Sequence, residues 1–243
     1  MIASDITSRA RILLNDIDAT RWVDTELIKW VNDAQKLVAM VRPDASVATY
    51  VMTCAAGTKQ KIPNGTTAGV GSGFRLLDVI RNVTTVTGST TADQVVTLAG
   101  RSVRIVDREV LDTQDPYWHT AAGASEVKHF IYDNRSPTLF YVFPPATTAA
   151  KLEIVYSVAP TDASVLADTL SISDIYQDVI LNYVMYRAYS KDAEYASNAA
   201  LATGYLSVVN QMLGIKTQKD VAYSPDLNSK GSLPAQGLTA GGV

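Results

Sequence analysis

A single cysteine, Cys54, stands in a chain of 243 residues. One thiol excludes an intrachain disulfide framework and suits folding in a reducing compartment. Histidine is almost as scarce: His119 and His129 are the only two. Together with Cys54 they leave too few ligands for a zinc site, and neither H-E-x-x-H nor C-x-x-C occurs. No apolar run reaches the roughly 18–20 residues that span a bilayer. The most apolar window, residues 179–189, still holds Asn182 and Arg187. The opening MIASDITSRARIL brings Asp5 early and has no apolar core, unlike a secretory signal. A basic excess is missing too. The net charge is −3 and the pI about 5.4, which argues against a nucleic-acid coat but not against brief contact with DNA.

Catalytic signatures are equally thin. The glycines of GVGSGF (Gly69, Gly71, Gly73) lead into strand-like FRLLDVIRNV rather than a helix, and no Lys-Ser/Thr pair completes a phosphate loop. G-x-S-x-G is absent. The densest titratable cluster is Asp107, Glu109, Asp112, Asp115 and His119. Its functional reading is a carboxylate pair or an Asp-His pair that activates water; its bland reading is a polar connection between strands, with Asp115-Pro116 as a turn. His129 lies in an alternating segment and reads as a structural histidine. Arg75, Arg81, Arg101, Arg104 and Arg108 interleave with Asp78, Asp107 and Glu109, as on a solvated mixed-charge face or a surface that meets acidic partners. No catalytic residue, metal site or cofactor is assigned.

What the chain has is two helix-forming blocks at opposite ends, residues 9–46 and 173–216, separated by strand-like sequence. Residues 3–15 predict a short helix capped by Ser4, with Ile6, Ala10, Leu13 and Leu14 on one side. Asp24 is the expected cap of a helix over residues 25–41, where Leu27, Val31, Ala34, Val38 and Val41 share a face widened by Trp30 and Leu37. Arg42-Pro43 should stop it. Residues 175–189 are apolar around much of the circumference, so the helix there needs cover on more than one side. After a break at Lys191-Asp192, residues 194–213 carry two stripes. One holds Tyr195, Ala199, Ala202, Leu206, Val209 and Leu213; the other holds Leu201, Tyr205, Val208 and Met212. Two stripes imply two packing partners, and Ala199, Ala200, Ala202 and Gly204 permit close approach. Tyr176, Tyr183, Tyr186, Tyr189, Tyr195 and Tyr205 have helical spacing, which fits packing better than a ligand cage. Gly214 is the expected terminator. Residues 216–243 have no period and read as a flexible arm.

Between the blocks the period changes. Residues 48–54 and 59–62 read as a hairpin, residues 64–73 as a loop and residues 74–87 as one or two strands. Residues 94–98 and 102–106 follow, with Ala99-Gly100 as the turn, and then residues 127–132, 139–143 and 152–158, punctuated by Pro137 and Pro144-Pro145. Such spacing predicts an antiparallel sandwich or barrel. The expected class is α+β: a helical bundle (1–46 and 173–215), an inserted antiparallel β-rich domain (47–172) and a flexible C-terminal arm (216–243).

The helical blocks resemble the head-to-tail adaptor (connector) proteins of short-tailed, podovirus-type bacteriophages. In the first block the residues that carry the likeness are Leu14-Asn15-Asp16, Arg21-Trp22, Glu26-Leu27, Trp30-Val31-Asn32-Asp33-Ala34-Gln35 and Arg42-Pro43-Asp44-Ala45. In the second they are the run from Tyr186-Arg187 to Glu194-Tyr195, and Leu213-Gly214. None is catalytic; they read as packing and turn signatures, over about a third of the chain. The likeness implies a structural virion protein of the tail or neck, assembled in the host bacterial cytoplasm, without membrane contact. Its expected partners are further copies of itself in a ring, dodecameric by the likeness, the portal protein, the tail nozzle (tubular) protein, and double-stranded DNA passing non-specifically through the lumen. The interface candidates are Trp22, Trp30, Asn32, Tyr183, Tyr186, Tyr189, Leu201, Tyr205, Val208 and Met212. Leu227, Leu233 and Leu238 are candidate anchors of a docking arm. Asn32, a poor helix former in mid-helix, calls for a buried partner. The alternatives are a tail-associated glycan or cell-wall hydrolase built on the cluster at 107–119, a carbohydrate-binding tail module using Tyr117 and Trp118, or a tail or baseplate component.

Overall fold

The computed structural model of the chain describes residues 1–223 apart from 134 and 193. It is α+β, with mixed helices and antiparallel sheet. The candidate anchors Leu227, Leu233 and Leu238 lie outside the described residues.

Helix α1 (Ala3–Leu14) and α2 (Asp24–Val41) come from the first block, α4 (Gln177–Lys191) and α5 (Ala196–Tyr223) from the second. Helix α4 packs against α1, α2 and α5. Ile6, Leu27, Val31, Ile180, Val184 and Met185 meet there with almost no exposure, each burial worth roughly 1.5–3 kcal/mol. A second cluster joins Val38 and Ala39 of α2 to Val179 of α4 and to Val209 and Leu213 of α5. The stripe foreseen on α2 therefore covers two neighbours, though Val41 at its end is exposed.

Two expected caps are replaced. Ser4 lies inside α1, because the open N–H groups of Ala3 and Ser4 donate to the carbonyls of Asp168 and Leu166 at 3.0 and 2.9 Å. A loop distant in sequence thus does the work of a capping hydroxyl. Asp24 is the first residue of α2 and makes no cap bond; it pairs with Arg11. Gly214 does not end α5 either. No proline follows before Pro225, and one helical glycine costs only about 1 kcal/mol relative to alanine.

The middle of the chain forms two four-stranded sheets. The strands are β1 (Val47–Thr53), β2 (Gly57–Lys61), β3 (Gly73–Thr87), β4 (Val95–Ser102), β5 (Arg104–Ile105), β6 (His129–Tyr132), β7 (Leu139–Ala146) and β8 (Lys151–Val158). The sheet orders are β1-β8-β3-β4 and β2-β7-β6-β5, antiparallel except for the β5–β6 pair. Both sheets contribute to one core, with Leu76, Leu152 and Ile154 from the first and Phe130, Phe140 and Val142 from the second. This is sheet-on-sheet packing.

Three strand assignments change. Residues 59–62 do not pair with β1; β2 joins β7 in the opposite sheet, after the chain turns at Gly57 (φ 104°). Ala99-Gly100 is not a turn, since β4 runs straight through it. A Cβ at Gly100 would lie 3.0 Å from the Asn82 carbonyl oxygen, so the glycine serves the close approach of β3. Pro144 and Pro145 lie inside β7 rather than ending it. The segment read as a polar connection holds a short helix, α3 (Arg108–Gln114).

Candidate assembly interface

Helix α5 makes the most unusual surface. Of its two stripes, Ala202, Val209 and Leu213 are buried against the rest of the chain. The other lies outward: Leu201 is 47% exposed, Val208 and Met212 36% each. Tyr205 is half-buried and stacks on Tyr189 of α4, with centroids 5.7 Å apart and planes 6° from parallel. Tyr183 and Tyr186, also half-buried, meet edge to face at 5.7 Å. Ser197, Ala200, Leu201, Gly204, Tyr205 and Val208 line an open hollow on this face. At its centre, a Cβ placed on Gly204 would meet nothing within 4 Å. Between residues 196 and 215 there is no charged side chain. A solvated helix face ordinarily carries Lys and Glu. This face instead combines exposed aliphatics with a missing Cβ and no charge. The charge-free run is legible in the sequence itself, beside the periodicity of the helix.

The remaining interface candidates sit elsewhere. Trp22 and Trp30 are buried in the helical core, so their apolar surface is already used within one copy. Arg21 stacks its guanidinium 4.9 Å from the Trp22 ring. Asn32, also buried, has the partner its position called for: its amide nitrogen donates to the Ala163 carbonyl and its oxygen accepts the Ala163 N–H, both at 2.9 Å. Gln35 extends the contact, taking the Ser171 N–H at 2.9 Å. Two polar side chains in mid-helix thus fasten the loop that caps α1.

The motif residues of the two ends meet in space. Lys191 pairs with Glu26 at 2.8 Å and Asp192 with Arg21 at 2.6 Å. Arg42 grips Asp44 through two nitrogens, at 3.0 and 2.6 Å, in the turn after α2. The Lys191–Glu26 pair, half in water, adds little stability, and its value lies in fixing orientation; Arg42, by contrast, is buried.

Asp16 organises the α1–α2 connector. It accepts the N–H groups of Thr20, Arg21 and Trp22 at 2.9, 3.1 and 3.0 Å, and the Thr20 hydroxyl at 2.9 Å. The Trp22 N–H is the largest of these influences, and together they outweigh burial and hold the carboxyl at about 2, below the usual 3.8. This closed loop tolerates Asn15 (φ 53°) and even Ala19 (φ 56°) in left-handed backbone. Ile17 (73% exposed) projects from it, and Ile12 (69%) and Leu13 (53%) from the last turn of α1 just before it. Because the folded pKa is depressed, the contribution of Asp16 is present above 3.8 and is lost as pH falls through about 2. Thermal melts across that window should show wild type losing stability while Asp16→Asn, already weaker at neutral pH, changes less. Parallel acid dependence in the two proteins would refute the lock.

The cluster at 107–119 has structural work. Asp112 accepts the Trp118 indole N–H at 2.8 Å, which lowers its pKa, and pairs with Arg108 at 3.2 Å. Asp115 takes the Tyr117 N–H at 3.1 Å. His119 stacks on Trp118 at 3.6 Å and reaches Thr58 at 2.9 Å. Trp118 is buried, so Tyr117 and Trp118 do not form a sugar platform. His129 stacks on Phe143; burial, and then Arg101, Arg104 and Lys128, push its pKa down. Arg81 is taken by Glu153 at 2.5 Å. Among the described residues no group of His, Cys, Asp or Glu is arranged to hold a metal ion, and no helix is long and apolar enough to cross a membrane.

No curated protein matches the chain. At the level of families, the model of the SU10 adaptor protein family matches residues 1–229. The match takes in the β region, where no recognisable motif stood out, as well as both helical blocks from which the adaptor likeness was read. The chain belongs to the SU10 adaptor protein family, and that membership supports a phage head-to-tail adaptor role, structural rather than enzymatic, in the neck of the virion.

Proposed function

We propose that copies of this chain form a closed, dodecameric ring that joins the portal of the head to the tail nozzle, with double-stranded DNA passing through the lumen. The observation that carries the ring is α5, which buries one apolar stripe inside the copy and leaves Leu201, Val208 and Met212 outward on a face without charge. Apolar surface of that kind gains free energy when a partner removes it from water. The net charge of −3 suits a conduit, since a lumen that gripped phosphates would slow DNA exit. The C-terminal segment from 216 to 243, with Leu227, Leu233 and Leu238, is the part assigned to portal docking. Electron microscopy of the chain mixed with portal rings of the same virus tests the proposal. The expected result is a second ring stacked on one end of the portal. Portal particles that stay bare while the chain remains monomeric would contradict it.

A further inference from the structure

The hollow around Gly204 lies on α5, while Ile12 and Leu13 project from the end of α1 and Ile17 from the connector after it; α1 and α5 each pack on α4 and scarcely touch one another. We infer that the projection of one copy enters the α5 hollow of the next. This inference rests on the ring reading and assigns the two surfaces that meet.

Both surfaces are exposed and neither is satisfied within the copy. The hollow lies in a stretch without charge, so it has nothing to offer DNA phosphates or a charged protein face. What fits it is aliphatic. Among the described residues, Ile12 and Ile17 are two of the most exposed large aliphatics, at 69% and 73%. They are not held loosely. Asp16, immediately before Ile17, closes the connector with four hydrogen bonds to Thr20, Arg21 and Trp22, and Arg11 ties the same loop to Asp24. A helix end and a pinned connector that display aliphatics side by side in the chain are preorganised for a partner and lose little freedom on docking.

The geometry also selects the symmetry. The hollow and the projection are different patches, so their contact is heterologous and repeats head to tail. Such a contact closes into a ring when the rotation permits. Two α5 faces meeting each other would instead stop at a two-fold dimer.

Cysteine cross-linking reads the pairing directly, because the native Cys54 is buried and stays out of the reaction. Full-length Ile17→Cys/Val208→Cys, assembled on portal rings and oxidised with copper phenanthroline, should run as a ladder of covalent oligomers on a non-reducing gel. Ile17→Cys alone and Val208→Cys alone should remain monomers there. Rings that assemble but give no ladder would overturn the pairing and leave the ring reading standing. A covalent dimer from Val208→Cys alone would also overturn it, in favour of a two-fold α5 contact. Absence of rings, for the wild type as well, would overturn both.

Discussion

Asn32→Ala is expected to melt well below the wild type. The substitution removes both bonds to the Ala163 backbone and leaves a carbonyl and an N–H unpaired where water does not reach. Each unsatisfied buried group costs about 1–3 kcal/mol, so the pair should cost about 3 kcal/mol. For a chain of this size that is a fall in Tm of roughly 6–12 °C. The damage should spread locally. Residues 163–168 also supply the carbonyls that cap α1, and Gln35 holds Ser171 further along the same segment. Hydrogen exchange should therefore quicken in the first turn of α1 before it does in the β sheets. A variant that melts with the wild type would mean that the loop holds without Asn32.

The second large effect concerns assembly rather than folding. Val208→Asp puts a carboxylate on the outward stripe of α5, where a single copy leaves it in water. The free protein should melt within about 2 °C of the wild type, since surface substitutions usually change stability by no more than ~0.5 kcal/mol. In an interface the same carboxylate would be desolvated opposite aliphatic side chains, at a cost of several kcal/mol for each contact. At 1.4 kcal/mol per tenfold, association should weaken at least ~100-fold. Gly204→Leu provides the complementary case. Its Cβ meets nothing within 4 Å in one copy, and leucine is the better helix former by about 0.8 kcal/mol. That variant should be slightly more stable as a monomer and defective in the ring, a combination that simple misfolding cannot produce.

How much of this was legible in the sequence depended on whether the information was local. The break at Lys191-Asp192, the stop at Arg42-Pro43 and the stripes of α5 from Ala202 onward are periodic or steric signals that stand in the structure, whereas Tyr195, expected to lead one stripe, precedes the helix and is exposed. Asn32 announced a buried partner because an asparagine in mid-helix is poorly tolerated without one, although nothing nearby pointed to Ala163, more than a hundred residues away. Strand pairing was less legible, because β propensity describes a strand and not its neighbour. Residues 59–62 looked like the return of a hairpin and belong to the opposite sheet. Gly100 and Pro144 look like punctuation in isolation. Only the approach of Asn82 gives Gly100 its reason to lie within a strand. Trp22 and Trp30 were read as interface anchors because large aromatics serve interfaces and cores alike, and burial within the copy cannot be told from burial between copies by residue type. The projection of Ile17 is hidden for a related reason. Its exposure follows from how Asp16 closes the connector, which is a matter of geometry rather than of pattern.

The proposed ring rests on the outward face of α5. Sedimentation of the wild type and of Val208→Asp with portal rings measures it most directly. The wild type should travel with the portal as a complete ring of fixed stoichiometry, while Val208→Asp, folded and melting normally, should stay near the top of the gradient or bind only as scattered single copies. Co-sedimentation of the variant at the wild-type stoichiometry would show that the copies meet through some other surface.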